Sequence, residues 1–210
     1  MRELTPPAWL GGMYDDHVNW LALEQALLAS REGNYGIGAV AIDVGDGLVR
    51  EYRDRSAMIT GLGVVDHAET RVLLRIAEGG AADDEYPADS AGAVPDGISL
   101  FGTLEPCPMC ACTLTNAGAV RSVSVALDGE LVEENGVLTT DGSANAIGRK
   151  AILQPRVWRL IQRQQGLRFE QLQTNDAELL RLSAELFDAG REAVDAQLAS
   201  RQAGQRRARR

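Results

Sequence analysis

Two short stretches hold three of the five histidines and cysteines in this sequence. Asp66-His67-Ala68-Glu69 contributes one of only two histidines. Thr103-Leu104-Glu105-Pro106-Cys107-Pro108-Met109-Cys110 contributes two of only three cysteines. A proline-led Cys-x-x-Cys that opens a helix puts both thiols on one face. The helix N-terminus, with its free N–H groups and positive dipole end, favours the thiolate form. A neutral imidazole adds a third donor, and thiolate with imidazole selects zinc. A structural zinc site is closed by four protein ligands, whereas a catalytic site has three and a water. The candidates for a fourth ligand are Cys112 and His17. Cys112 falls on roughly the opposite face of the helix that carries Cys110, and His17 would have to return by a tertiary contact. The expectation is therefore an open site made by His67, Cys107 and Cys110. Glu69, two residues after His67, places a carboxylate near that water, which is what metal-assisted hydrolysis requires.

Plainer readings exist for each piece. Asp66 and Glu69 could form a capping box that opens a helix, and Asp66 is expected to cap. The two cysteines could be buried inert thiols or a redox pair. The joint occurrence of His-x-Glu and Pro-Cys-x-x-Cys is far more specific than either alone.

The elements that must position these residues can be read from periodicity and punctuation. A helix from Asp15 or Asp16 to about Glu32 carries a broad apolar face that includes Val18, Leu21 and Leu28, and Gly33-Asn34 stops it. Gly36 to Ile42 reads as a buried strand, Asp46-Gly47 as a tight turn and Leu48 to Tyr52 as the returning strand. A helix follows Asp66 and ends at Gly79-Gly80. Residues 81–97 read as a long polar loop. Ile98 to Leu104 is a strand that delivers Cys107 and Cys110 to the next helix, and Val120 to Leu127 is a fourth strand. A helix is expected over Ala151–Gln164, a fifth strand over Leu167–Leu172, and a terminal helix from Asp176. Strands joined through helices argue for an α/β sheet covered on both faces.

The chain of 210 residues carries a net charge of −9. Residues 201–210 contain five arginines and no acid, so the preceding residues carry −14. A body this acidic is a poor electrostatic host for nucleic acid and suits a small neutral or cationic substrate better. Two cysteines spent on metal leave no disulfide framework, which fits a reducing cytoplasm. No stretch approaches the ~20 apolar residues of a membrane span. The expected organisation is one domain, carrying the zinc site, over residues 1–200. Its core spans about 15–175, its C-terminal helix about 176–200, and an Arg-rich disordered tail follows over 201–210.

The spacing of His67, Glu69, Cys107 and Cys110 matches the signature of zinc nucleobase deaminases. The chain resembles the cytidine deaminase-like superfamily. Its Thr-Leu-Glu-Pro-Cys-Pro-Met-Cys wording is most similar to the branch of tRNA adenosine deaminases, guanine deaminases and the deaminase domain of riboflavin biosynthesis. The resemblance implies a three-layer α/β/α sandwich with a five-stranded mixed sheet, the fifth strand parallel to the fourth. It implies Zn2+ held by His67, Cys107 and Cys110, and Glu69 as the catalytic proton carrier. It also implies a pocket lined by the backbone near Glu105 and Pro106, and a homodimer. Ser56 occupies the position where relatives carry an asparagine that contacts base or sugar. Asn34 is a second candidate for substrate contact, with a helix C-cap as its other reading. Trp158 and Phe169 are the aromatics available for stacking, although either could serve in the core.

The function implied is hydrolytic deamination of a small nucleobase or nucleoside of the guanine or cytosine type. A tRNA adenosine deaminase is the second reading, and an inactive zinc module serving as a partner subunit is the third.

Overall fold

The computed structural model describes residues 14–61, 63, 65–87, 97–104, 106–117, 120–127, 131–134, 137–140, 168–171 and 177–208. The sheet grows from a hairpin. β1 (Gly38–Gly45) and β2 (Leu48–Arg55) pair antiparallel, with Gly45 opposite Leu48 and Gly38 opposite Arg55. Asp46 and Gly47 make the turn, both at positive φ (54° and 75°), as the Asp-Gly signal predicts. Successive residues of β1 enter two different cores. Ala39 and Ala41 join Tyr52, Leu100 and Leu114 on one face, while Val40, Ile42 and Val44 join Val18, Val49 and Phe101 on the other. A strand covered on both faces explains the unbroken apolar run that marked it in the sequence.

α1 (Tyr14–Arg31) packs on the second of these faces, and α2 (Ala68–Ala77) packs on the first. A short strand, β3 (Asp84–Pro87), adds antiparallel to the outer edge of β2. β4 (Gly97–Leu104) pairs antiparallel with β1 on the other side. α3 (Pro108–Asn116) leads to β5 (Val120–Leu127), which lies parallel to β4. β6 (Leu131–Glu134) and β7 (Val137–Thr140) form a separate hairpin. β8 (Arg168–Gln171) is parallel to β5. The main sheet therefore runs β3-β2-β1-β4-β5-β8. α4 (Ala177–Ala208) lies against α1 and reaches β5.

Three features differ from expectation. The sheet has six strands where five were expected, because part of the segment read as a polar loop pairs as β3. Two of its four side chains are charged and make ion pairs with neighbours: Glu85 with Arg50 at 3.1 Å, and Asp84 with Arg53. Tyr86 is buried in the α1-side core. Short charged edges of this kind protect a sheet from pairing with other chains. Second, residues 201–208, expected to be a disordered tail, continue α4. Third, the acidic stretch after β5, to which no element was assigned, contains the β6–β7 hairpin. The helix expected over Ala151–Gln164 lies outside the described residues.

α4 is fixed against the chain that follows α1. A Cβ on Gly36 would lie 2.1 Å from the Leu186 carbonyl oxygen, and one on Gly190 would lie 2.4 Å from the Gly36 nitrogen. Only glycine permits this approach of backbone to backbone. Phe187 stacks beside Tyr35 at 6.1 Å between centroids, with ring planes 8° apart. Phe187 and Val194, seven residues apart on this helix, are both buried.

Candidate active site

The two ligand stretches meet at one end of the sheet because two helices begin there. His67 is the N-cap residue of α2, with extended backbone (φ −79°, ψ 152°) and no side-chain capping bond. The cap falls one residue later than the Asp66 expected from the sequence, and the imidazole is thereby released from capping. Asp66 faces Arg71 instead, at 3.8 Å. The Thr70 hydroxyl secures this turn by donating to the carbonyls of Val65 (2.6 Å) and His67 (2.9 Å). Nothing in the motif reading pointed to Thr70. Its signal was a hydroxyl residue three positions after the cap, where it can bond back to the chain.

Cys107 is likewise an N-cap, of α3, with φ −63° and ψ 167°. Pro108 occupies the first helical turn, where its missing N–H costs nothing. Cys110 follows one turn on and is fully buried. Two helix N-termini thus point their positive ends at one place, which favours anionic sulfur.

Cys107 Sγ lies 3.5 Å from His67 Nδ1 and 3.6 Å from Cys110 Sγ. All three donor atoms fall within 4.8 Å of one another. For Zn–S near 2.3 Å and Zn–N near 2.0–2.1 Å, tetrahedral edges come to about 3.8 Å and about 3.6 Å. The observed spacings are those of donors around a shared centre. Neither alternative fourth ligand joins them. Cys112 is exposed, and His17 is half-buried near Arg53 and Asp84. Among the described residues this is the sole cluster of three such donors.

In the metal-free protein the hydrogen bond from Cys110, followed by that from His67, lowers the Cys107 thiol to about 4. The same pairing with Cys107, together with burial, pushes Cys110 up. Burial opposes charge on His67, but the Cys107 sulfur and the Glu69 carboxylate outweigh it and raise the imidazole above its ordinary value.

Glu69 is the second residue of α2 and is 3% exposed. Burial pushes its carboxyl above the usual carboxylate range. One oxygen, Oε2, has no hydrogen-bond partner. A buried carboxylate oxygen left unsatisfied is costly and calls for a ligand or a catalytic role. The soft donor set, its spacing and this free oxygen beside it fit a zinc ion with an open position.

The remaining candidates are placed as follows. Ser56 ends the β2 hairpin, buried, with its Oγ unpartnered. Pro106 is buried next to Cys107. Asn34 is fully buried, and its amide holds Ile59 and Thr60. Glu105 and Trp158 lie outside the described residues. Phe169 sits in β8 opposite Val123.

Soft donors on two converging helix N-termini, with a carboxylate kept off the metal, are the arrangement of the zinc nucleobase deaminases. Within that class the chain belongs to the cytidine and deoxycytidylate deaminase family, whose zinc-binding region matches residues 14–127. The family establishes a zinc deaminase and leaves the substrate undetermined. No curated protein matches the chain closely enough to count as a relative. Among solved structures, one from a study of A-to-I editing by tRNA:A34 deaminases is 30% identical, covering 54% of this chain and 76% of that one, with a TM-score of 0.40. A guanine deaminase from Nitrosomonas europaea is 20% identical over 80% of this chain and 83% of its own, with a TM-score of 0.50. A mutant of NE0047 in complex with 8-azaguanine is 19% identical over 87% of this chain and 85% of its own, with a TM-score of 0.54. The last two likenesses concern the fold.

Proposed function

We propose that this chain hydrolytically deaminates a small nucleobase or nucleoside, of the guanine or cytosine type, replacing an exocyclic amine by oxygen and releasing ammonia. The observation that carries the reading is the unpartnered, buried Oε2 of Glu69 beside the His67–Cys107–Cys110 cluster. His67 Nδ1 and the two sulfurs would hold zinc, which when bound makes a water acidic enough to supply hydroxide near neutral pH. Glu69 accepts the proton of the attacking water and passes it to a ring nitrogen of the substrate. The amidine-like carbon gains the hydroxyl, Glu69 then carries that hydroxyl's remaining proton to the amine, and the carbon–nitrogen bond breaks to release ammonia and leave the carbon–oxygen double bond. A raised carboxyl pKa suits a group that must both take and return a proton. The buried hydroxyl of Ser56 and the chain at Glu105 and Pro106 supply contacts to the base, and Trp158 is an aromatic available for stacking.

The similar solved structures differ in the substrates their descriptions name. One is a guanine deaminase and another was solved with 8-azaguanine, whereas a third comes from a study of tRNA deaminases. The acidic body favours the small substrate. The test is ammonia release across free bases, nucleosides and nucleotides, run beside inosine formation in a tRNA anticodon stem-loop. Turnover of a small substrate that depends weakly on salt is the expected result. Inosine in the stem-loop, falling steeply with salt and without turnover of any small base, would establish the tRNA reading. An inactive zinc module would turn over neither, but such a module has no need of Glu69.

The protein is also expected to be a homodimer through the helices that carry the ligands. An apolar groove of about 560 Å3 lies along α2 and α3, lined by Leu73, Leu74, Ile76, Met109 and Thr113 among others. Leu74 and Val65 at its edge are 54% and 50% exposed. Light scattering should give twice the chain mass, and Leu74→Glu should shift it toward the monomer. A monomeric mass for the unaltered protein at working concentration would reject this interface.

A further inference from the structure

We infer that Asn34 is a positioning residue, whose side chain clasps the active-site segment 56–66 in place. Its backbone is already occupied in ending α1. Gly33 sits at φ 79°, its N–H bonds to the Ser30 carbonyl (3.0 Å), and the Asn34 N–H bonds to the Ala29 carbonyl (3.0 Å). This is a Schellman ending, which needs glycine at 33 and asks nothing of the side chain at 34. The helix therefore does not explain the asparagine.

The side chain makes three bonds elsewhere. Oδ1 accepts from the N–H groups of Ile59 (2.8 Å) and Thr60 (3.2 Å), and Nδ2 donates to Thr60 Oγ1 (2.9 Å). Both Oδ1 acceptor positions are used, and one of the two amide hydrogens is spent. Asn34 is wholly buried, while Thr60 is exposed at the tip of the turn. The bonds thus tie a surface turn to an interior group.

That turn is joined to the site by its own backbone. Gly61 N–H bonds to the Ala57 carbonyl (2.6 Å), Ala57 N–H to the Asp66 carbonyl (2.8 Å), and Asp66 N–H to the Gly63 carbonyl (2.9 Å). Asp66 precedes the His67 donor, and Ser56, with its unpartnered hydroxyl, precedes Ala57. The clasp therefore sets both ends of the segment that borders the donors. Asn34 is held in turn by α4, because Gly190 packs against the Asn34 carbonyl and the Gly36 nitrogen. For turnover this rests on the deaminase reading, whereas the exchange measurement below does not.

The test uses the full-length zinc-loaded protein. Amide hydrogen exchange should show Ile59 and Thr60 protected in the unaltered chain. In Asn34→Ala that protection is lost while the amides of Val72 to Leu74 keep theirs. With the small substrate turned over in the panel, kcat of Asn34→Ala falls by ~10–100-fold at full zinc content, the scale of a misplaced wall. Asn34→Asp keeps the acceptor for both N–H groups and can accept from Thr60, so it restores protection and holds kcat within about threefold. Equal loss in Asn34→Asp and Asn34→Ala would overturn the proposal in favour of substrate contact through the amide N–H. A lower thermal midpoint with unchanged kcat would overturn it in favour of a purely structural role. Unprotected Ile59 and Thr60 amides in the unaltered protein would show that no clasp exists. Should Asn34→Ala not fold, Asn34→Asp and the unaltered protein decide by the same criteria. If no substrate is found, the deaminase reading fails and the exchange rates still judge the clasp.

Discussion

Glu69→Ala should retain stoichiometric zinc and lose turnover by at least ~10²–10⁴-fold, the usual contribution of a positioned proton carrier. The two parts of this expectation have separate causes. Zinc is retained because Glu69 is outside the set of three donors. Turnover is lost because its buried Oε2 is, among the described residues, the unpartnered carboxylate oxygen beside that set. Stability gives a further sign to check. Deleting a desolvated carboxylate with an unsatisfied oxygen removes a cost. In the metal-free protein that cost depends on pH. The folded-state pKa is raised above the ordinary 4.5, so at lower pH both states are protonated and the group is neutral to stability. As pH rises past 4.5 the unfolded chain ionises first and the folded state is penalised. The thermal midpoint of metal-free Glu69→Ala should therefore meet the parent at acid pH and exceed it increasingly toward neutral pH. A catalytic group held at the expense of stability behaves in this way. Near-normal turnover would reduce Glu69 to an acid that favours the first turn of α2.

How much of this was legible in the sequence depends on the range of the interaction. That His67, Cys107 and Cys110 would gather in one place was readable because donor chemistry is a property of residue type, and a helical first turn converts Cys-x-x-Cys into adjacent sulfurs. The β1–β2 hairpin was readable because Asp46-Gly47 encodes its turn locally. β3 was not, since its residues look like a solvated loop until Arg50 and Arg53 stand opposite them. The Arg-rich end read as a disordered tail, yet α4 carries it on as helix to Ala208, and i,i+3 and i,i+4 pairs of Arg181 with Glu178 and Glu185 support that helix near its start. Asn34 was the hardest to read. The sequence shows a helix-stopping Gly-Asn, but Thr60, the residue that explains the asparagine, is 26 positions away.

Cys110→Ala should abolish stoichiometric zinc binding and, with it, turnover. Two donors would remain, His67 Nδ1 and Cys107 Sγ, 3.5 Å apart. Two donors do not make a tetrahedral site that holds zinc against water. Cys112→Ala is the matched control, two residues along the same helix but exposed, and it should keep both metal and activity. The loss should also be visible in stability. A ligand present at 100 times its dissociation constant stabilises the folded state by about 2.7 kcal/mol. Added zinc should therefore raise the thermal midpoint of the parent and of Cys112→Ala, and leave that of Cys110→Ala where it was. Acid should weaken zinc binding in the parent, because the donors bind only when deprotonated and Cys110, held up by its pairing with Cys107 and by burial, must release its proton to join them. Metal analysis of the three purified proteins decides the assignment: one zinc per chain retained by Cys110→Ala would remove that cysteine from the site.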